Sequence, residues 1–157
     1  MSPQVFIRDM REEDIYFIHS SWLRSLRNDS PLNSKIPTGI WNHGKSPEIK
    51  EILAKATVKV AHLPEDETHL IGFICYEKYG DVSIIHYLLV KSIYQGFGFS
   101  RTLLGELGKS IGKMTVLSCL SKDFVIRFFN MDKKNCLYVY NPFILKEIGY
   151  GGIKKAV

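Results

Sequence analysis

The chain is poor in cysteine, with only Cys75, Cys119 and Cys136 among its 157 residues. They form no C-x-x-C pair, their number is odd, and each sits in an apolar, strand-like run. That leaves no sign of a disulfide framework and suits buried, reduced thiols in a cytosol. His19, His43, His62, His69 and His86 share no ligand spacing with one another or with the cysteines, so no metal is expected. No apolar run approaches the roughly 20 residues that span a membrane. Arg8, Asp9, Arg11, Glu12 and Glu13 come too early for a secretory signal. A cytoplasmic protein without membrane contact is the expectation. Dense Lys/Arg blocks and interleaved aromatic and basic residues are missing too, which argues against nucleic acid. Lys plus Arg is 21 against 16 for Asp plus Glu, a net charge of +5. Such an excess serves an anionic cofactor, an acidic partner or solubility alone. With no internal repeat and no linker, residues 1–157 are expected to fold as one domain with a sizeable core.

What the chain does have is a strand-like run, Ile84 to Val90, that feeds a glycine-rich turn. A helical pattern follows, with Leu103, Leu104, Leu107 and Ile111 on one face. Strand, glycine turn and helix together hold phosphate. Glycine lets the backbone come close, and the first helical N–H groups have no partner within the helix. A Walker loop, G-x-x-x-x-G-K-[ST], is absent. A dinucleotide fingerprint fails at its third glycine, which is Arg101. No acid stands at Met114 to Ser118, where the ribose would be held.

The run Gln95-Gly96-Phe97-Gly98-Phe99-Ser100 resembles motif A of the GCN5-related N-acetyltransferases, Q/R-x-x-G-x-G/A, with Ser100 in the last place. Ile7-Arg8 followed by Glu13-Asp14 is similar to that family's opening, and Val125 to Phe129 falls where it has an A-x-x-F/L-Y helix. The resemblance runs from about Val5 to Tyr140. Ser21-Trp22-Leu23-x-Ser25, His86-Tyr87 and Asn141-Pro142-Phe143 also look like a subgroup of small, phage-type acetyltransferases. The resemblance implies acetyl-coenzyme A as cosubstrate. Its pyrophosphate would lie on the backbone of Gly96, Phe97, Gly98, Phe99, Ser100 and Arg101, with Gln95 orienting the turn. The pantetheine amides would pair with the backbone of Leu88, Leu89 and Val90, between the strands Ile84–Val90 and Met114–Leu120.

Periodicity orders the elements as β-α-(α)-β-β-β-α-β-α-β. Val5 to Arg8 reads as a strand, and Asp14 as the cap of a helix carrying Ile15, Ile18, Trp22 and Leu26. Asn28 to Ser46 reads as irregular, and Pro47 as the start of a short helix. Val58 and Val60 alternate as a strand, and Pro64 to Thr68 is a turn. Leu70–Tyr76 and Val82–Val90 form a hairpin. The glycine-turn helix runs to about Ile111 before Gly112, with a strand at Met114–Leu120. Asp123–Met131 is helical, Cys136–Tyr140 is the last strand, and Gly149–Val157 is a frayed tail or short extra strand. This predicts an α/β fold with a mixed, mostly antiparallel central sheet and helices on both faces. The resemblance implies that the parallel strand pair is splayed and stands at the cofactor site.

Transfer of an acyl group to an amine requires a neutral amine and stabilisation of the thioester oxygen. Deprotonating a lysine-like amine of pKa about 10.4 at pH 7 costs about 4–5 kcal/mol. His86, on the strand before the turn, is the first candidate for a base. Glu77 and Asp81, near the hairpin, come second. The resemblance places a proton-donating tyrosine where this chain has Phe129, and asparagine where it has Lys122. Tyr138 or Tyr140 on the next strand is then the candidate acid. Trp22, Trp41 and the segment between them are placed to shape the acceptor site. The expected activity is N-acetyl transfer to a primary amine of a protein lysine or a small molecule, by direct attack in a ternary complex. The alternative is a GNAT-fold protein without strong catalysis that binds and modulates a protein partner, which Phe129 and Lys122 favour. Either a monomer or a homodimer suits the sequence.

Overall fold

The computed structural model describes residues 3–107, 114–119 and 137–151. Among them six strands make one sheet in chain order: β1 (Phe6–Asp9), β2 (Thr57–Leu63), β3 (Asp66–Tyr79), β4 (Val82–Val90), β5 (Met114–Leu117) and β6 (Leu137–Tyr140). The pairs from β1 to β4 are antiparallel, while β4–β5 and β5–β6 are parallel. The β3–β4 hairpin closes through Gly80, whose φ of +56° is the left-handed conformation wanted at the first position of such a turn. The parallel β4–β5 pair needs a crossover, and α3 (Phe99–Gly105) begins it.

Helices lie on both faces of the sheet. Helices α1 (Ile15–Asn28) and α2 (Thr38–Lys55) bury Ile18, Trp22, Leu23, Trp41, Ile49 and Ile52 against Val58, Val60, Phe73, Cys75 and Tyr87. On the other face α3 packs Phe99, Leu103 and Leu104 on Ile71, Ile74, Tyr76, Ile85 and Leu88. Period-2 alternation sends neighbouring residues of each central strand to opposite cores, so the buried middle of β3, Leu70–Tyr76, is an unbroken run without charged residues.

The structure corrects four local expectations. Residues 38–46 are helical, and Pro47 lies inside α2 instead of starting it. Gly39, Gly44 and Pro47 are breakers by local chemistry, but tertiary contacts override them. Trp41 is buried and donates its indole N–H to the Leu23 carbonyl at 2.9 Å, while Pro47 forgoes a single bond. Asp14 does not cap α1. Its carboxylate accepts the Arg11 N–H at 2.8 Å and the Arg8 guanidinium at 2.6 and 3.1 Å. Burial opposes its ionisation, yet Arg8 and the Arg11 N–H together hold it below the usual carboxylate range. Asp66 to Thr68 belong to β3, not to a turn. Before the expected tail comes a helical turn, Ile144–Glu147, and Tyr150 is buried. The expected helix Asp123–Met131, with Phe129 and Lys122, lies outside the described residues, as do Ile111, Gly112 and Cys136.

Candidate functional site

In the pairing of β3 with β4, Cys75 faces Tyr87 and Tyr76 faces Ile85. His86 is therefore the extra residue of a β-bulge, which re-aims side chains and loosens pairing. It is also 1% exposed. Its Nε2 lies 2.6 Å from Glu77 Oε2, and its Nδ1 lies 2.9 Å from Ser118 Oγ. The same Glu77 oxygen accepts the Tyr150 hydroxyl at 2.9 Å, and Oε1 accepts the Tyr79 hydroxyl at 3.1 Å. A carboxylate only accepts, so Nε2 carries the imidazole proton and Nδ1 accepts from Ser118. Burial holds the His86 pKa below its ordinary value, with Glu77 opposing, so the ring is neutral at pH 7. Burial pushes the Tyr150 phenol well up, with Glu77 adding to it, and Tyr150 remains a donor.

Ser118 stands where two strands part. Pairing of β4 with β5 runs from Val82–Met114 to Ile85–Leu117 and ends with the Ser118 N–H on the Ile85 carbonyl at 3.2 Å. Beyond that point residues 87–90 pair with β3 alone among the described residues. Cys119 follows, donating its thiol to the His86 carbonyl at 2.9 Å. Burial pushes that thiol up to about 12, so no thiolate forms there at neutral pH.

The open stretch of β4 leads into the glycine turn. Gly96 and Gly98 adopt φ of +89° and +83°, conformations that favour glycine. None of the N–H groups of Gly96, Phe97, Gly98, Phe99 and Ser100 meets a protein acceptor among the described residues. The Gln95 amide donates to the Val90 carbonyl at 3.0 Å and ties the turn to the strand.

A cavity of about 300 Å³ opens on the α1/α2 side of the parted strands. Trp22, Leu26, Trp41, Ile49 and Ile52 form its apolar wall, and Ser118, Cys119 and Tyr140 its floor. The Lys45–Glu48 pair, 3.3 Å apart, stands at its edge.

No protein-family model and no curated protein matches the sequence. Solved structures match its shape. A candidate acetyl transferase from Pyrococcus furiosus aligns over 98% of this chain and 97% of its own, with a TM-score of 0.61 at 16% identity. A GNAT-family acetyltransferase from Brucella melitensis, solved with acetyl-CoA, aligns over 82% and 83%, with 0.53 at 17%. The PaiA N-acetyltransferase from Thermoplasma acidophilum, solved with coenzyme A, aligns over 69% and 72%, with 0.50 at 19%. This chain has the GNAT fold.

On the GNAT fold the residues singled out from sequence divide as follows. His86 and Glu77 meet each other, while Asp81 is exposed in the hairpin turn, away from them. Tyr140 is 47% exposed and lines the cavity, whereas Tyr138 packs against the α3 core. Of the turn residues, Phe99 is buried and Arg101 exposed. The Arg101 N–H already donates to the Gly98 carbonyl at 3.0 Å. Likewise the Val90 carbonyl is engaged by Gln95, while Leu88 and Leu89 lie on the open stretch of β4. Trp22 stacks on Tyr87 at 4.9 Å, and both tryptophans are core residues whose edges reach the cavity. Ser118 and Tyr150 were missed. Nothing local marks a serine that ends a strand or a tyrosine in a glycine-rich tail. Among the described residues no His/Cys/Asp/Glu group is placed to hold a metal, and no helix is long and apolar enough to cross a membrane.

Proposed function

We propose that this protein transfers an acetyl group from acetyl-coenzyme A to a primary amine, of a protein lysine or a small molecule, by direct attack in a ternary complex. One observation carries the reading: β4 parts from β5 beside a turn that presents unpartnered N–H groups. Those N–H groups, from Gly96 to Ser100, suit the oxygens of a pyrophosphate. The open edge of β4 at Leu88 suits an amide of a pantetheine arm. Bound there, the coenzyme supplies an acetyl thioester near the cavity that holds Ser118 and Tyr140. The cavity wall of Trp22, Trp41, Ile49 and Ile52 would hold the acceptor and lower its amine pKa by desolvation. His86 is the base and Tyr140 the group that meets the departing sulfur. Residues 1–157 act as one domain.

Calorimetric titration with acetyl-coenzyme A, beside coenzyme A and ATP, tests this. Acetyl-coenzyme A should bind at micromolar or tighter concentrations and ATP far more weakly. Absence of coenzyme binding would refute it.

A further inference from the structure

His86 has both ring nitrogens engaged and does not line the cavity. Whatever proton it takes must come through a neighbour. Glu77 and Tyr150 lie behind it, and the Cys119 thiol is committed to the His86 carbonyl. Among the described residues Ser118 alone has a hydrogen bond to the ring and lines the cavity. Its hydroxyl proton is on the hydrogen bond to Nδ1, which leaves oxygen lone pairs for a donor.

We propose that Ser118 takes the proton from the arriving ammonium while passing its own hydroxyl proton to His86 Nδ1, an inference that rests on the acetyl-transfer reading above. The imidazolium so formed lies against Glu77, whose carboxylate is held by the Tyr150 and Tyr79 hydroxyls. It then releases the proton to solvent by way of Ser118. The neutral amine attacks the thioester carbon. A C–N bond forms, the C–S bond breaks, and the electron pair leaves on sulfur. As the amide forms, the nitrogen passes its second proton through Ser118 to His86, which has returned its first to solvent, and the thiolate gains one from Tyr140, which recovers its own from solvent. Ser118 is thus the catalytic residue and His86 its proton store.

The bulge explains why this works at a strand junction. The extra residue in β4 puts His86 on the same face as Tyr87, next to Ser118, which follows the end of β5. The groups facing the ring are Glu77 from β3, Ser118 and Cys119 from the segment just after β5, and Tyr150 from the C-terminal segment. The Glu48 carboxylate of α2 acts from farther off.

Four variants and one spectrum test it. With an amine that the wild type acetylates, Ser118→Ala should lower kcat/KM at pH 7 by on the order of 10²-fold. The loss should shrink as pH nears about 10.4, where half of the amine arrives neutral. His86→Gln should do the same, the double variant should be no worse than either single one, and Ser118→Thr should recover most of the rate. Coenzyme affinity by calorimetry should not change. Nitrogen NMR of the coenzyme-free protein should show the Nε2–H tautomer of His86, with Ser118→Ala moving only the Nδ1 resonance. A loss independent of pH, the Nδ1–H tautomer, or an acetyl ester found on Ser118 would overturn the relay. Coenzyme binding without thiol release from any amine would overturn it as well. Failure to bind the coenzyme would overturn the acetyl-transfer reading itself.

Discussion

Gly72→Ala should damage stability. Gly72 pairs with Val90 at the end of β4. A Cβ built there would lie 2.4 Å from the Leu89 carbonyl oxygen, 3.2 Å from the Val90 Cα and 3.3 Å from the Val90 Cγ2. Real Cβ contacts stay beyond 3.0 Å, so β3 and β4 must separate by about 0.6 Å at a minimum, a shift set by backbone, not by a pliable side chain. Overpacking of this kind costs about 1–3 kcal/mol, which lowers the melting temperature by roughly 2–12 °C in a chain of this size. The Leu89 carbonyl faces β3, so the strain falls on the β3–β4 pairing, and thermal unfolding measures it. Gly105→Ala is the control. Nothing lies within 4 Å of its Cβ, and its position in α3 should make alanine neutral or stabilising by up to about 1 kcal/mol. A Gly72→Ala protein as stable as the wild type would refute the reasoning.

Gly98→Asp should abolish coenzyme binding and leave the protein folded. A Cβ there meets nothing within 4 Å, the left-handed φ costs about 1–2 kcal/mol, and a carboxylate would stand where phosphate is expected. Circular dichroism beside calorimetry checks both halves, and unchanged affinity would sink the turn assignment. His86 and His19 both have pKa values lowered chiefly by burial. The unfolded chain therefore binds more protons, and their contribution to stability is full above about pH 6.5 and lost as pH falls through the folded values. Denaturant titrations from about pH 5 to about pH 8 should show stability rising with pH, with a shallower rise in His86→Gln. The acid limb of kcat/KM should for the same reason lie below about pH 6.5, and a limb above it would contradict a depressed His86. Tyr150→Phe removes the hydroxyl from Glu77 Oε2 and should cost about 0.5–1.5 kcal/mol, measurable by the same titrations.

The glycine turn, the β3–β4 hairpin and the amphipathic α1 were readable because each rests on spacing within a short window: Gly96 and Gly98, Gly80, and Ile18 with Trp22. Helix α2 was not, because its first turns are held by the Trp41 bond to Leu23, 18 residues away, against the local tendency of Gly39, Gly44 and Pro47. His86 was legible as a candidate base, since it is a titratable group on the strand before the turn. Its partners were not. Ser118 lies 32 residues further along, and Tyr150 lies 73 from the Glu77 it bonds. Only the parallel alignment of β4 with β5 and the return of the chain after β6 bring them together. The bulge had no signature either, because a single extra residue within an apolar run leaves local composition unchanged.

That extra residue also limits how the protein can change. Residues 82–85 and 87–90 reach their two cores with opposite parity, and His86 is the step between them. Replacing His86 would silence the proton store and spare the sheet. Deleting it would turn Tyr87, Leu88, Leu89 and Val90 through to the wrong faces, exchanging the aromatic contact of Trp22 for the floor beneath α3. The chemistry can therefore be lost by substitution, while the insertion that carries it is locked in by the packing on either side.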